Sequence, residues 1–312
     1  MSSMLKFIVK RVLWVIPVII CVAILIFTIM YFTPGDPALE MLGTNATPEQ
    51  LAALRHELGI DQPYFIQLGN FLYDAFIRFD FGSSWMTNQN VMEQIRIRLP
   101  YTLLIGALSV LFSILVGIPL GILAATNQYT WKDSLAIFSS LFCVSMPQFW
   151  FALMLVMIFS VNLGLLPPWG IKSWTGYILP IVSTSVGAVA NISRQTRSGM
   201  LEVIRQDYIT TARAKGAKER NVIYRHALRN ALNPIITVIG GIVAGVLGGT
   251  MVTEQIFGIP GIGSWLLTAV SARDYPVIRG SVLVISLMFC LCMLVVDILY
   301  VVVNPRMANE LK

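Results

Sequence analysis

The sequence predicts an all-α membrane protein with several spanning helices. Hydrophobic residues make up 56% of its 312 residues and charged residues only 12%, whereas a soluble domain carries about 25% charged residues. The apolar residues gather in charge-free stretches near the length of about 20 residues that a membrane helix needs. Strands of a membrane barrel would instead be alternating segments of about 10 residues. The charge-free stretches are 12–35, 99–131, 134–171, 173–193, 230–253, 255–272 and 280–296.

The same composition excludes several functional classes. The 22 Lys and Arg and 16 Asp and Glu are too few to cover the surface of a soluble enzyme with this much apolar mass. A disordered chain needs low hydrophobicity, and the mean hydropathy here is +0.74. A nucleic-acid-binding protein would gather its net charge of +6 on one water-exposed face.

Six spans are predicted from these stretches. Residues 1–32 are expected to hold an uncleaved first helix, because its apolar run exceeds the roughly 7–15 residues of a signal peptide. The glycines and proline near 258–263 interrupt the apolar segment 255–277, which predicts a re-entrant or surface helix there. The six predicted spans are 12–32, 101–125, 135–162, 177–192, 234–252 and 281–303.

The distribution of charge predicts the orientation of the chain. With the N-terminus inside, the inner segments total +10 and the outer segments −3. Most of the inner charge lies in 194–233, and the outer segment 33–100 carries −4. An excess of Lys and Arg marks cytoplasmic loops. Both termini are therefore expected in the cytoplasm, with the chain crossing a membrane several times.

The external segment 33–100 is predicted to be helical. Thr47 has the features of an N-cap, with Pro48 in the first helical turn. Leu51, Leu54 and Leu58 follow at helical spacing, and a second helix is expected over 63–79. Its predicted apolar stripe is Phe65, Leu68, Leu72 and Phe76. Two roles stay open for this segment, a cap over the mouth of a pore and a docking site for an external partner.

The basic segment 194–233 is predicted to form a helical hairpin under the membrane. One helix is expected over 201–214, Gly216 has the position of a left-handed stop, and a second helix is expected over 218–230. Forty residues are far more than the roughly 2–8 that join two helices, so a docking partner is expected. The predicted apolar stripe of the second helix is Val222, Ile223, Ala227, Leu228 and Ala231, with Arg220, Arg225 and Arg229 on other faces.

No catalytic, cofactor or metal site is predicted in this chain. The sequence contains no Gly-Lys pair and therefore no phosphate-binding loop of the Walker type. Its two histidines and four cysteines have no metal-ligand spacing, and we expect the cysteines to pack in apolar spans. Asp297 is an ionisable residue within a span, and local pairing with a basic residue such as Arg306 is favoured over a proton pathway.

Glycines recur where helices are predicted to approach closely. Gly241, Gly245 and Gly249 repeat every fourth residue on the fifth predicted span, and Gly117 and Gly121 lie on the second. Such faces allow close packing of membrane helices. The pattern predicts packing either within the chain or with a partner subunit.

The hairpin resembles the cytoplasmic EAA loop of ABC importer permeases. Thr210, Thr211 and Ala212 stand at the E-A-A positions, and Gly216 stands at the glycine of the pattern. The rest of the chain resembles the B-type permease subunit of the peptide-transport branch. The matching pieces are Pro34-Gly35-Asp36-Pro37, Glu57-Leu58-Gly59, Asp80-Phe81-Gly82, Arg98-Leu99-Pro100, Ser145-Met146-Pro147, Pro260-Gly261, Arg273-Asp274-Tyr275-Pro276 and Asn304-Pro305-Arg306.

The resemblance implies a type I importer fold of six transmembrane helices, with 101–312 as the five-helix core and an external helical segment between helices 1 and 2. It implies a non-enzymatic subunit that moves di- or oligopeptides by alternating access. The implied partners are a C-type permease subunit, two ATPase subunits that bind ATP and Mg²⁺, and an external substrate-binding protein. The implied coupling residues are Asp207, Tyr208, Ala212, Ala214, Gly216, Arg225 and Asn230, and the implied external gate is Glu254, Phe257, Pro260, Gly261, Gly263, Asp274 and Tyr275.

Two alternatives remain at this stage. Relatives of this branch also move nickel, metal–opine complexes or glutathione, and the residues do not separate these substrates. An ion-coupled secondary carrier would belong to a different class, because it would work without ATP and without partner chains.

Overall fold

The computed structural model describes residues 3–43 and 45–303, and within them the side chains of 3–7, 233, 247, 249 and 299–303 are left undescribed. Helices dominate this part of the chain. They are α1 (Ser3–Phe32), α2 (Pro37–Leu42), α3 (Pro48–Glu57), α4 (Tyr64–Tyr73), α5 (Val91–Thr126), α6 (Trp131–Ser145), α7 (Gln148–Leu155), α8 (Ile178–Ile204), α9 (Asp207–Ala214), α10 (Glu219–Asn221), α11 (Leu228–Phe257), α12 (Ile262–Ala272) and α13 (Tyr275–Val303). Wider π-helical turns extend α4 over Asp74–Arg78 and α7 over Val156–Asn162, and another joins α10 to α11 over Val222–Ala227.

The chain forms two compact units. Among the described residues, the first unit comprises 3–8, 103–259 and 292–303, and the second comprises 9–43, 45–102 and 260–291. The first unit contains α6 to α11, and the second contains α2 to α4 and α12. The division of the sequence into 1–32, 33–100 and 101–312 stays a prediction.

The long helices confirm the expected all-α membrane architecture. Within the described residues, four segments are long and apolar enough to cross a membrane, and the number rises to seven if each of three bent helix pairs counts as one span. The four are Ile8–Phe32, Val91–Thr126, Trp174–Ile204 and Tyr275–Ile298. The helices extend beyond several predicted spans, because charged residues at a membrane surface end a hydrophobic run without ending a helix. The exact number of spans stays a prediction.

The third predicted span, 135–162, is not one straight helix. Helix α6 ends at Ser145, and the segment that continues from Gln148 is bent from it by 105°. Pro147 lies at the break, where it lacks the backbone N–H that would continue the hydrogen-bond ladder.

Helices α5 and α8 approach closely at two glycines of the first unit. A Cβ atom on Gly121 would lie 2.5 Å from both the Ser193 carbonyl oxygen and Thr196 Cβ. A Cβ atom on Gly117 would lie 2.9 Å from Ile192 Cβ. The predicted packing role of these glycines is therefore confirmed within the chain, since any larger residue would push the two helices apart.

In the second unit, α4 packs on α1 through aromatic and aliphatic side chains. The Phe27 and Phe71 rings stack with centroids 5.8 Å apart, and the Thr28 and Tyr64 hydroxyl oxygens lie 2.7 Å apart. Ala75 joins a cluster with Ile19, Ala23 and Leu283, and the partly buried side chains around it are Val15, Val22, Phe71, Leu72, Phe76, Phe81 and Cys290. Leu72 and Phe76 of the expected apolar stripe take part in this packing, whereas Phe65 is 82% exposed within the chain, so burial of its ring against the membrane surface stays a prediction.

We expect Gly121→Ala to lower the free energy of unfolding by about 1–3 kcal/mol, because the added methyl group has no room between α5 and α8. The matched control is Gly187→Ala, since Gly187 lies within α8 and has open space around its Cβ position. Thermal unfolding of both full-length variants in detergent measures the difference. Equal midpoints would contradict the close approach.

Candidate functional site

The segment 207–230, which we call the basic hairpin, turns at Gly216. Gly216 has φ +80°, a left-handed conformation that confirms the predicted stop. Its N–H donates to the Arg213 carbonyl oxygen at 2.9 Å, and the Ala217 N–H donates to the Ala212 carbonyl oxygen at 3.2 Å. The Arg213 guanidinium also donates two hydrogen bonds, of 3.1 and 2.7 Å, to the Glu219 carboxylate across the turn. This contact raises the pKa of the Arg213 guanidinium, so the turn is closed by a charged pair.

The two arms of the basic hairpin are joined and anchored. The Asn230 side-chain amide donates to the Tyr208 hydroxyl oxygen at 3.0 Å. Ile209 of α9 is fully buried, in a cluster to which α5, α8 and α11 also contribute. The buried members of this cluster are Ile122, Ala125, Ile192, Met200, Ile209, Val222, Ala227, Ala231 and Ile235. The predicted apolar stripe of the second arm is therefore confirmed.

The boundaries of the hairpin helices differ from the prediction. The helix that contains Leu201 is the end of α8, which stops at Ile204, and α9 begins only at Asp207. Between them Gln206 is extended, which interrupts the helix, and Asp207 follows in the first turn of α9, where a negative charge is favourable. The second arm does not end at Asn230, because α11 continues to Phe257.

The residues predicted to couple this chain to a partner lie on the surface of the hairpin. Ala212 is partly buried, and the other six are exposed: Asp207, Tyr208, Ala214, Gly216, Arg225 and Asn230. Arg220 and Arg229 are exposed as well. The structure thus brings the seven predicted residues into one short segment with a fixed turn.

A cavity of about 720 Å³, which we call the α8–α11 cavity, lies in the first unit. One wall is α8, whose lining side chains are mostly polar, and the other is α11, whose Gly241 and Gly245 have no atom within 4 Å of a Cβ position. These two glycines therefore line open space, and no described residue of this chain packs against them. The lining residues are Gln148, Thr184, Ala188, Asn191, Arg194, Gln195, Ser198, Val238, Gly241, Ile242, Gly245 and Val246.

Hydrogen bonds fix the polar groups at the cavity. Gln148, which follows the break before α7, donates to the Thr253 hydroxyl oxygen at 3.0 Å. The Thr184 hydroxyl lies 2.9 Å from that of Thr253. Arg194 donates to the Asn191 side-chain oxygen at 2.6 Å. Arg194 was expected outside the fourth predicted span, at the start of the basic segment 194–233, but it lies within α8.

A buried ion pair joins α6 to α8. Arg197 Nε and Nη2 donate to the two carboxylate oxygens of Asp133 at 2.6 and 2.7 Å, and the Asp133 side chain is only 4% exposed. The Tyr129 N–H also donates to Asp133 at 3.2 Å. This pair was not predicted from the sequence. No local signal could identify a partner 64 residues away.

The external segment begins with a capped helix and an ion pair. The Thr47 hydroxyl oxygen accepts from the Gln50 N–H, and the Gln50 side chain accepts from the Thr47 N–H, which confirms the predicted start of α3. Arg55 on α3 donates to Asp36 at 3.0 and 2.5 Å. The Arg55 guanidinium holds the pKa of the Asp36 carboxyl below its usual value.

The residues of the predicted external gate lie in both units. Glu254 and Phe257 belong to the first unit and are buried. In the second unit Asp274 accepts from the Ser84 hydroxyl at 2.5 Å and from the Trp85 N–H at 3.1 Å, and Tyr275 packs against the Trp85 ring. Gly261 and Gly263 are buried, whereas Pro260 is exposed. A gating role for these residues stays a prediction.

Comparison with known proteins establishes the family. The family described as "Binding-protein-dependent transport system inner membrane component" matches residues 117–309, and the N-terminal family of the same systems matches residues 4–106. The chain belongs to this permease family. It is therefore a multi-pass inner-membrane component of a binding-protein-dependent transport system, which confirms the family expected from the hairpin.

Curated permeases resemble the chain over nearly its whole length. It is 42% identical to a putative peptide transport system permease protein of Brucella abortus, with 98% of this chain and 100% of that protein aligned. It is 40% identical to the dipeptide transport permease DppB of Alkalihalophilus pseudofirmus, covering 97% and 99% of the two chains. It is 39% identical to the glutathione transport permease GsiC of Salmonella typhimurium, covering 97% and 98%.

A solved structure confirms the fold of the permease core. The inward-facing MetNI methionine ABC transporter matches with a TM-score of 0.56 at 16% identity, over 71% of this chain and 97% of that chain. At this identity the likeness shows the fold alone. The expected type I importer architecture is thus confirmed for the part of the permease that aligns.

Breaking the Asp133–Arg197 pair should destabilise the permease strongly. We expect Asp133→Asn to lower the free energy of unfolding by about 3 kcal/mol, because the Arg197 charge would stay poorly solvated without its partner. Lys132→Gln is the matched control, since Lys132 is the exposed neighbour on the same helix. Chemical unfolding in detergent measures both variants, and a loss of equal size in the two would argue against the pair.

Proposed function

We propose that the permease forms part of the transmembrane pathway of an ABC importer for di- or oligopeptides. The names of the peptide and dipeptide permeases at 40–42% identity support this substrate class. Glutathione is the second candidate, because a relative at 39% identity carries that name. Nickel and metal–opine complexes remain alternatives that no contact in the structure favours.

The exposed and internally braced basic hairpin is the single observation that carries the assembly we propose. A segment that only joined two spans would need neither the Arg213–Glu219 ion pair nor the Asn230–Tyr208 hydrogen bond. We propose that it docks on one of two cytoplasmic ATPase subunits, which bind ATP and Mg²⁺ in place of this chain. A paralogous C-type permease subunit and an external substrate-binding protein complete the complex.

The α8–α11 cavity is the proposed contribution of this subunit to the pathway. Its amide, hydroxyl and guanidinium groups suit the polar backbone of a peptide, and its glycines leave room for varied side chains. Neither the cavity nor the hairpin requires a catalytic group or a cofactor in this chain. We infer that the chemical work of the transport cycle is done by the ATPases.

The charge distribution supports a cytoplasmic hairpin and an external acidic segment. Residues 194–233 carry +6 and residues 33–100 carry −4. The positive segment is retained on the cytoplasmic side. Both termini are then cytoplasmic, and Arg306, the proposed partner of Asp297, lies outside the described residues.

Purification of the tagged chain with its neighbouring gene products tests the assembly. A second permease and two ATPases should accompany it, and uptake of peptides into proteoliposomes should require ATP and the external binding protein. Transport by the lone chain or a homo-oligomer without ATP would instead establish the secondary-carrier alternative.

Substitution of Gly216 should uncouple ATP hydrolysis from uptake. Gly216→Val forces a β-branched residue into a left-handed conformation at a cost of about 1–2 kcal/mol, so the hairpin turn should shift. Gly216→Asn is the control, because asparagine tolerates this conformation. We expect uptake per ATP hydrolysed to fall in the valine variant and to be retained in the asparagine variant. Full coupling with valine would exclude a role for the turn geometry.

Filling the α8–α11 cavity should block transport while leaving the fold intact. Gly245→Phe places a ring in space that the structure leaves open, and Gly187→Phe is the control on α8, with an equally open Cβ position outside the cavity lining. We expect at least a tenfold loss of peptide uptake in the first variant only, at equal amounts of assembled complex. Equal uptake by both would place the pathway elsewhere.

A further inference from the structure

Arg279 occupies an unusual position in the second unit. It lies in the second turn of α13, and its guanidinium carbon is 4.6 Å from the centre of the Phe27 ring, 5.2 Å from that of Phe71 and 5.7 Å from that of Tyr275. Contacts of this kind stabilise a cation through the faces of aromatic rings. The three rings therefore stabilise the charged guanidinium of Arg279 at this position.

The rings leave the hydrogen-bonding capacity of Arg279 unused. A guanidinium carries five N–H donors in its own plane, and a ring face does not replace an acceptor for them. The Nε atom is buried and has no hydrogen-bond partner, and no carboxylate of the described residues lies within 4 Å of the guanidinium. A buried donor without an acceptor is rare and points to an unfilled role.

A cavity of about 450 Å³, which we call the Arg279 cavity, opens onto this side chain. Its size falls within the roughly 300–1,000 Å³ of small-molecule sites. Its polar lining comprises the amides of Gln62, Gln67 and Asn70, the carboxylates of Glu57, Asp74 and Asp80, the His56 imidazole, and the guanidinium groups of Arg78 and Arg279. Arg78 is paired with Asp74, so Arg279 faces Glu57 and Asp80 as the cation without a carboxylate partner among the described residues.

The carboxylates differ in how far they are engaged. Asp74 is paired with Arg78 at 3.3 Å, and Asp80 accepts from the Gly82 N–H at 2.8 Å. Glu57 is exposed at the cavity wall. We call the side of the cavity with Glu57 and Asp80 the acidic wall. A ligand with a negative group toward Arg279 and a positive group toward this acidic wall would match these charges.

We propose that the Arg279 cavity binds small zwitterionic peptides, with Arg279 receiving the free C-terminal carboxylate through its unused N–H donors. This inference rests on the proposed peptide substrate. A planar carboxylate fits the two parallel donors of a guanidinium, and the pairing is charge-assisted. The acidic wall favours an ammonium group on the same ligand and disfavours a purely anionic one such as a phosphatidylglycerol headgroup. The site is a substrate-binding position outside the α8–α11 cavity.

Binding of L-alanyl-L-alanine and of its C-terminal amide tests this assignment. The full-length chain, purified with the subunits that accompany it and placed in nanodiscs of phosphatidylglycerol and phosphatidylcholine, is titrated by calorimetry without the external binding protein. We expect the free acid to bind at least tenfold more tightly than the amide. Equal affinities, or no binding of the free acid, would overturn the proposal.

Variants locate the site. Arg279→Met keeps an unbranched side chain against the rings without the charge, and it should weaken binding of the free acid at least tenfold and abolish the preference over the amide. Arg279→Lys should restore part of that preference. Arg96→Gln is the control, because it removes an exposed arginine from α5 within the same unit. Unchanged binding of the free acid in Arg279→Met would overturn the proposal. It would also be overturned if the unsubstituted protein bound the free acid only in nanodiscs without phosphatidylglycerol, because Arg279 would then bind the lipid headgroup.

The outcome is separable from that of the proposed function. Peptide uptake by the complete transporter, measured on the same preparations with the binding protein and ATP, tests the substrate class directly. Intact uptake with no carboxylate preference at Arg279 would reject this site alone, whereas loss of all peptide uptake in the unsubstituted complex would reject the proposed function.

Discussion

The hydrocarbon core of a membrane offers no water to polar groups, and this constraint shapes the chain. Helices satisfy the backbone within each segment. Many hydroxyl groups bond to the helix that carries them, as Ser113 does by donating to the Ser109 carbonyl oxygen one turn earlier at 2.7 Å. The buried Asp133 carboxylate is met by Arg197 from a different helix. The helix break before Gln148 lies where other polar groups gather, at the α8–α11 cavity.

The sequence predicted the fold class and the position of most helices, because hydropathy reports where a chain meets lipid. It did not predict helix ends with the same accuracy. Arg194 and Arg197 ended the fourth predicted span at 192, yet α8 continues to Ile204. The reason is that Arg197 has a buried partner and Arg194 faces a polar cavity, so neither charge obliges the helix to stop. The break before Gln148 was missed because the third span was predicted from hydropathy alone, which does not register the helix-breaking Pro147 within it.

In the candidate site, features that depend on neighbouring residues were predictable, whereas contacts between distant residues were not. The left-handed Gly216, the capped start of α3 and the apolar stripe under the hairpin depend on neighbouring residues, and each was predictable. The Asp133–Arg197 pair, the Ser84–Asp274 contact and the ring cage around Arg279 join distant parts of the chain. A single sequence contains no signal for such contacts. The net charges of the loops could not reveal them either, because a sum of charges does not say which groups meet.

The packing of the hairpin gives the proposed coupling a physical route. Ile209 of α9 belongs to the same buried cluster as Met200 of α8 and Ala231 of α11, and α8 and α11 are the two walls of the α8–α11 cavity. A close-packed cluster transmits displacement because its side chains cannot be compressed. An ATPase that binds the hairpin differently in two states would therefore bias the position of both walls, and this differential contact is what a population shift requires. The open Gly241 and Gly245 face of α11 leaves space into which such a movement can proceed without a clash inside this chain.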